Sequence, residues 1–153
     1  MSKTNDPIAK AEILIRKPIE EVFNAFIQPD LITQFWFDKC SGPIEKDASI
    51  EWTWSMFDMS IPVVVQKFIN NEKIIMSWGE DKDQSTLEWT FTQRSDQTTY
   101  ISLINSDFQG TEAEKVSKAL DSTGGFNLVI AAAKAFTFED TRRRLRRMRN
   151  GKR

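Results

Sequence analysis

Phe126-Asn127-Leu128-Val129-Ile130-Ala131-Ala132-Ala133-Lys134-Ala135-Phe136 is the stretch that decides the fold. Only Asn127 and Lys134, seven residues apart, are polar, so as a helix it is apolar nearly all round and is expected to be buried on most of its sides. Five or more strands curling about it would provide that cover. Its alanines, Ala131, Ala132, Ala133 and Ala135, permit close approach or leave space. Just upstream, Thr111 and Glu114 have capping-box spacing and open a polar helical stretch through Leu120. Residues 121–125, ending in Gly124-Gly125, are expected to break or bend the helix between the two stretches.

The covering strands are legible further back. Ile50, Trp52, Trp54 and Met56 alternate with polar residues, as do Ile74, Met76 and Trp78, then Leu87, Trp89 and Phe91, then Ile101 and Leu103. Period two with β-branched and aromatic residues predicts antiparallel strands. Hairpin punctuation falls at Asn70-Asn71, at residues 79–83 and at Ser95-Asp96-Gln97. Residues 59–69 make another strand, with Pro62 placing its start at a sheet edge or bulge. Nearer the start, Ala9, Ala11, Ile13 and Ile15 share one face of a strand over residues 9–16. Pro18 then opens a helix carrying Ile19, Val22, Phe23 and Phe26 at i, i+3, i+4, i+7, Pro29 stops it, and Ile32, Phe35 and Trp36 add a second helical turn or two.

Composition limits the chemistry. The 153 residues make one domain, 1–153, with no repeat or linker. The absence of histidine excludes Ser-His-Asp and Cys-His nucleophiles, His-ligated metals and an imidazole base. The single Cys40 forms no internal disulfide and no Cys-x-x-Cys site, which fits a reducing cytoplasm. No apolar leader opens the chain and no run of 18 apolar residues occurs, so a cytoplasmic protein without a membrane span is expected. Neither a metal nor a nucleotide cofactor is expected. The net charge of −1 conceals an asymmetry: Arg142, Arg143, Arg144, Arg146, Arg147, Arg149, Lys152 and Arg153 contribute +8, leaving −9 for the rest. An acidic body therefore carries a basic tail at residues 142–153. There Phe138, Leu145 and Met148 form a narrow stripe that continues the last helix.

The order strand, two short helices, antiparallel sheet, long carboxy-terminal helix resembles the helix-grip fold of the START/SRPBCC superfamily, shared by the birch-pollen allergens. Within it the chain most resembles the activator of Hsp90 ATPase homologue (AHSA-type) domain. The residues that carry the likeness are Ile13 and Ile15, the run Pro18-Ile19-Glu20-Glu21-Val22-Phe23-Asn24-Ala25-Phe26, Pro29 with Ile32 and Trp36, and Gly124-Gly125-Phe126-Asn127-Leu128-Val129. The resemblance implies an α+β fold: a curved antiparallel sheet of about six or seven strands wrapped on a long carboxy-terminal helix. It also implies a cavity between sheet and helix for an apolar or amphipathic ligand. The co-chaperone role belongs to eukaryotic members with an extra amino-terminal domain, for which the chain has no room, so direct chaperone activation is not expected.

Five Trp and eleven Phe against one Tyr are a large rigid apolar payload with few hydroxyls. Taken singly, each aromatic is best read as core. Together with the implied cavity, Trp36, Trp52, Trp54, Phe57, Trp78, Trp89, Phe91, Phe126 and Ile130 are the expected ligand-binding residues. Glu51, Asp58, Glu88 and Lys134 sit in or beside apolar patterns as the general acid/base candidates, but none forms a motif, and Glu51 and Glu88 alternate with Thr53 and Thr90 on the face opposite the tryptophans. A catalytic role, of cyclase or hydrolase type, is thus the weakest reading, and no catalytic residue is assigned. The alternative to a ligand carrier is an interaction protein whose arginine tail contacts nucleic acid or acidic partners, although no aromatic platform interleaves the arginines. A homodimer through a strand edge near Pro62 or through Phe138 is a further expectation.

Overall fold

The computed structural model describes residues 6–150, with side chains described through residue 137. Strand β1 (Ala9–Ile15) is followed by helices α1 (Ile19–Ile27) and α2 (Pro29–Ile32). Six further strands follow: β2 (Lys39–Cys40), β3 (Ser49–Trp54), β4 (Met59–Ile69), β5 (Lys73–Trp78), β6 (Ser85–Ser95) and β7 (Thr98–Ser106). Helix α3 (Glu112–Asn150) closes the order. The strands form one antiparallel sheet in the order β1-β7-β6-β5-β4-β3-β2, with α3 packed across β1 and β7 and against α1. This is the expected α+β helix-grip architecture.

Apart from the two-residue β2, each strand buries one side of its pleat. Trp52, Val63, Val65, Ile74, Met76, Leu87, Trp89, Phe91, Ile101 and Leu103 join Val22, Phe23 and Phe26 of α1 and Phe126, Ile130 and Ala133 of α3 in one apolar cluster. The predicted capping box at the start of α3 is present: the Thr111 N–H donates to Glu114 Oε1 and the Glu114 N–H donates to Thr111 Oγ1, each at 3.1 Å.

Three expectations are corrected. Residues 121–125 neither break nor bend the chain out of helix, because α3 runs through them. Neither Gly124 nor Gly125 has a positive φ, and Ala119 and Ser122 before them and Phe126 and Ile130 after them hold the turns against the sheet. The apolar stretch is buried on one face only: Phe126, Ile130, Ala133 and Thr137 face the sheet, while Leu128 is 74% exposed. Met56 is not a strand residue but lies in a 3-10 turn, Ser55–Phe57, that ends at Asp58 in the left-handed region (φ 48°) and leaves Met56 87% exposed. Asp38 fixes this turn by accepting the Ser55 N–H at 2.7 Å.

Pro62 lies near the start of β4, which pairs with β3 on one side and with β5 only from Val63 onward on the other. Its carbonyl accepts the Gly79 N–H on the β5 side, where β5 has already ended at Trp78, so the N–H that proline lacks would have faced no strand. Residues 59–62 at the start of β4 are thus open on the β5 side, as expected from Pro62, and the Phe138 side chain lies outside the described residues. The helix continuation read from Phe138, Leu145 and Met148 does hold, since α3 extends to Asn150. What the arginine side chains contact lies outside the described residues, as do residues 151–153.

Candidate functional site

Trp36, delivered by the turn after α2, is the hub of the aromatic set. Its ring lies 4.9 Å from Trp52, 5.9 Å from Trp89, 5.7 Å from Phe126 and 6.3 Å from both Trp54 and Trp78, centroid to centroid. Trp52 stacks on Phe37 at 4.5 Å, and Phe91 packs edge-on to Phe23 at 4.9 Å. Much of the hollow expected between sheet and helix is thus filled by the protein's own rings. Trp52, Trp89, Phe91 and Ile130 belong to this packed interior, each at most 2% exposed. Trp89 Nε1 is buried there without a hydrogen-bond partner. Trp54 is half-buried against Trp36 and Phe37, and Phe57 stands apart on the hairpin turn, 68% exposed.

Open space remains at one end of the cluster. A pocket of about 300 Å³ is lined by Trp36, Trp78 and Phe126, with Asp121, Ser122, Gly125 and Val129 of α3 completing it. Of the nine residues expected from the sequence, the structure brings these three to the wall of that pocket. Gly125 contributes no side chain, and a Cβ built on it would meet nothing within 4 Å. The pocket adjoins a cleft of about 370 Å³ that shares Trp78 and Ser122 with it and is walled by Met59, Ile61, Pro62 and Phe108. A larger cleft, about 530 Å³, lies elsewhere, between α1 and Phe136 of α3 beneath a lip of Glu20, Glu21, Asn24, Asn70 and Asn71. It holds none of the nine expected residues.

The smaller cleft has a polar floor that the sequence reading passed over. Asn105, 1% exposed, donates from Nδ2 to Ser85 Oγ (2.9 Å) and to the Thr86 carbonyl (2.8 Å), and accepts the Ser122 hydroxyl at Oδ1 (2.7 Å). Ser85 Oγ also accepts the Trp78 indole N–H at 3.1 Å. Strands β6 and β7, helix α3 and the pocket's tryptophan are thereby tied through one buried amide. A signal existed, because Asn105 continues the inward period of Thr99, Ile101 and Leu103, and a polar residue at an inward register marks a site to be satisfied.

The acid/base candidates do not converge. Glu51 and Asp58 are exposed, Glu88 pairs with Lys73 at 3.8 Å on the outer face, and exposed Lys134 borders a separate basic cleft with Arg16 and Lys17. Burial pushes the Cys40 thiol above its usual pKa, which disfavours a thiolate nucleophile. The Ser55 contact holds the Asp38 carboxyl below its usual range, as befits an acceptor whose work is to fix a turn. Among the described residues no group of His, Cys, Asp and Glu is arranged to hold a metal ion, and no helix is long and apolar enough to cross a membrane.

Comparison with known proteins agrees with this architecture. Residues 16–132 match the family model described as "Activator of Hsp90 ATPase homolog 1-like protein". Similar solved structures include a Staphylococcus saprophyticus protein, 21% identical, with TM-score 0.72 and coverage of 84% of this chain and 90% of that one. A Mesorhizobium loti protein is 16% identical with TM-score 0.75, covering 86% and 97%. An Hsp90 activator from Plasmodium falciparum is 16% identical with TM-score 0.63, covering 80% and 90%. No curated protein sequence matches the chain.

Proposed function

The chain belongs to the activator of Hsp90 ATPase homolog 1-like family, and on that premise we propose that it binds a small apolar or amphipathic molecule in the Trp36–Trp78–Phe126 pocket. The observation that carries the reading is an open aromatic-walled space beside a helix that places glycine, not alanine, at the wall. The volume of about 300 Å³, with the adjoining 370 Å³, lies in the range of small-molecule sites. Binding would be driven by apolar burial, at about 25 cal/mol per Å² removed from water. The Ser85–Asn105–Ser122 floor supports it by fixing the Trp78 ring and by offering hydrogen bonds to one polar end of the guest.

Titration of intrinsic tryptophan fluorescence with fatty acids, alkyl amines, sterols and aromatic metabolites tests this. Saturable shifts that Gly125→Leu abolishes are expected. If no compound shifts emission, or if Gly125→Leu binds as well as the unsubstituted chain, the pocket is not the site. A protein-facing role is a second reading, favoured by the apolar hairpin tip, where Met56 and Phe57 are 87% and 68% exposed. Met56→Ser with Phe57→Ser would remove a chaperone or other protein contact there while sparing ligand binding.

A further inference from the structure

Resting on the reading of this pocket as the binding site, we propose that its guest is an organic cation: an ammonium group carried on an apolar body. The three wall rings are mutually inclined, Trp78 to Phe126 at 48°, Trp36 to Trp78 at 57° and Trp36 to Phe126 at 77°, with centroids 5.4–6.3 Å apart. A corner of inclined rings offers π faces, whose negative quadrupole attracts ammonium groups and is used in aromatic cages for that purpose.

Charge at the rim has the matching sign. Asp121 lines the aromatic pocket, and Glu80 and Asp83 line the adjoining cleft. Among the described residues lining either space, Lys118 is the one cation. Its ammonium already donates to the Lys82 carbonyl at 3.1 Å and the Gln109 carbonyl at 2.9 Å and is ion-paired with Asp83 at 3.6 Å. Among the described lining residues, an anionic guest would therefore meet Asp121 and Glu80 with only the already engaged Lys118 to answer it, whereas a cationic guest meets carboxylates and ring faces.

The arginine tail does not alter this sign. Because α3 is continuous, Arg142 lies 21 residues beyond Asp121, about 31 Å along the axis at 1.5 Å per residue. That is several times the screening length of about 8 Å at physiological salt.

The test is titration of the full chain with octyltrimethylammonium, octyl glucoside and octyl sulfate, each below its micelle concentration, by tryptophan fluorescence and calorimetry. The cation is expected to bind at least about tenfold tighter than the sulfate, with the advantage reduced several-fold in 0.5 M salt and in Asp121→Asn, while the glucoside is unaffected by either change. Equal or tighter binding of the sulfate or glucoside, still lost in Gly125→Leu, would overturn the charge preference and leave the pocket standing. Failure of all three probes to bind, or binding indifferent to Gly125→Leu, would overturn the pocket itself and the preference with it.

Discussion

Two adjacent glycines in the middle of a long helix are a cost without return unless one of them is needed for space. Gly124 and Gly125 are both exposed, both helical, and a Cβ on either meets nothing within 4 Å. Alanine should then gain its full helix propensity, about 1 kcal/mol at each position, with no steric debit. Neighbours at i, i+1 do not face each other on a helix, so the gains should add to about 2 kcal/mol in the double variant. For a chain of this size that corresponds to a rise in Tm of about 3 °C for each single variant and about 6 °C together. Binding separates the two positions. Gly125 lines the aromatic pocket and Gly124 does not, so Gly125→Ala should weaken ligand binding several-fold while Gly124→Ala leaves it unchanged. Urea and thermal unfolding report the first effect, and fluorescence titration the second. The reasoning is refuted if either alanine destabilises the protein, or if both alter affinity to the same degree.

Other outcomes follow from single contacts. Asn105→Ala removes three hydrogen bonds of about 1 kcal/mol each; access of water through the cleft offsets part, so a loss of roughly 2–3 kcal/mol is expected in urea, and a loss below about 1 would show that the network does not hold the strands to α3. The Thr111 N–H holds the Glu114 carboxyl below its usual range. The stability this adds is complete above the ordinary carboxylate pKa and is lost as pH falls through the depressed value, so the Tm difference between the natural chain and Glu114→Gln should vanish in acid; a difference constant from pH 7 to pH 3 would contradict the linkage. Cys40, its thiol pKa raised by burial, should alkylate more slowly with iodoacetamide at pH 7.5 than a free thiol does, and accelerate only at higher pH; a rate matching glutathione would place it in a more open or more positive setting.

The parts of the fold visible in the sequence are those in which side chains report their own burial. Alternation at Leu87, Trp89 and Phe91 or at Ile101 and Leu103 announces a face whatever lies opposite, and the Thr111–Glu114 box announces a helix start from purely local bonds. Features set by the partner were not visible. Gly124-Gly125 reads as a break when only propensity is weighed, because the burial of Phe126 and Ile130 that holds the helix through it is a tertiary contribution. The all-apolar run at residues 126–136 reads as an enclosed helix, since nothing local distinguishes Leu128, which faces outward, from Ile130, which faces the sheet. Of the candidate site, Trp36, Trp78 and Phe126 were legible as aromatics, but their separation from Trp52 and Trp89 depends on which rings fill the interior and which stop at its margin.

That margin decides what kind of binding the fold can support. An interior already filled at close-packed density admits a guest only by displacing rings such as Trp52 and Phe37, whose 4.5 Å stack would have to open. A guest at the mouth displaces water alone. The Trp78 wall is held from behind by Ser85, which is held by Asn105, which is held by Ser122 on the same helix that supplies Phe126 and Gly125. Both sides of the pocket are thus linked through one buried amide, and a guest lodged against Trp78 and Phe126 bears on that link directly. Ligand should therefore stabilise the natural chain against unfolding in proportion to its affinity, while in Asn105→Ala the same occupancy should come at weaker affinity because the wall must first be ordered.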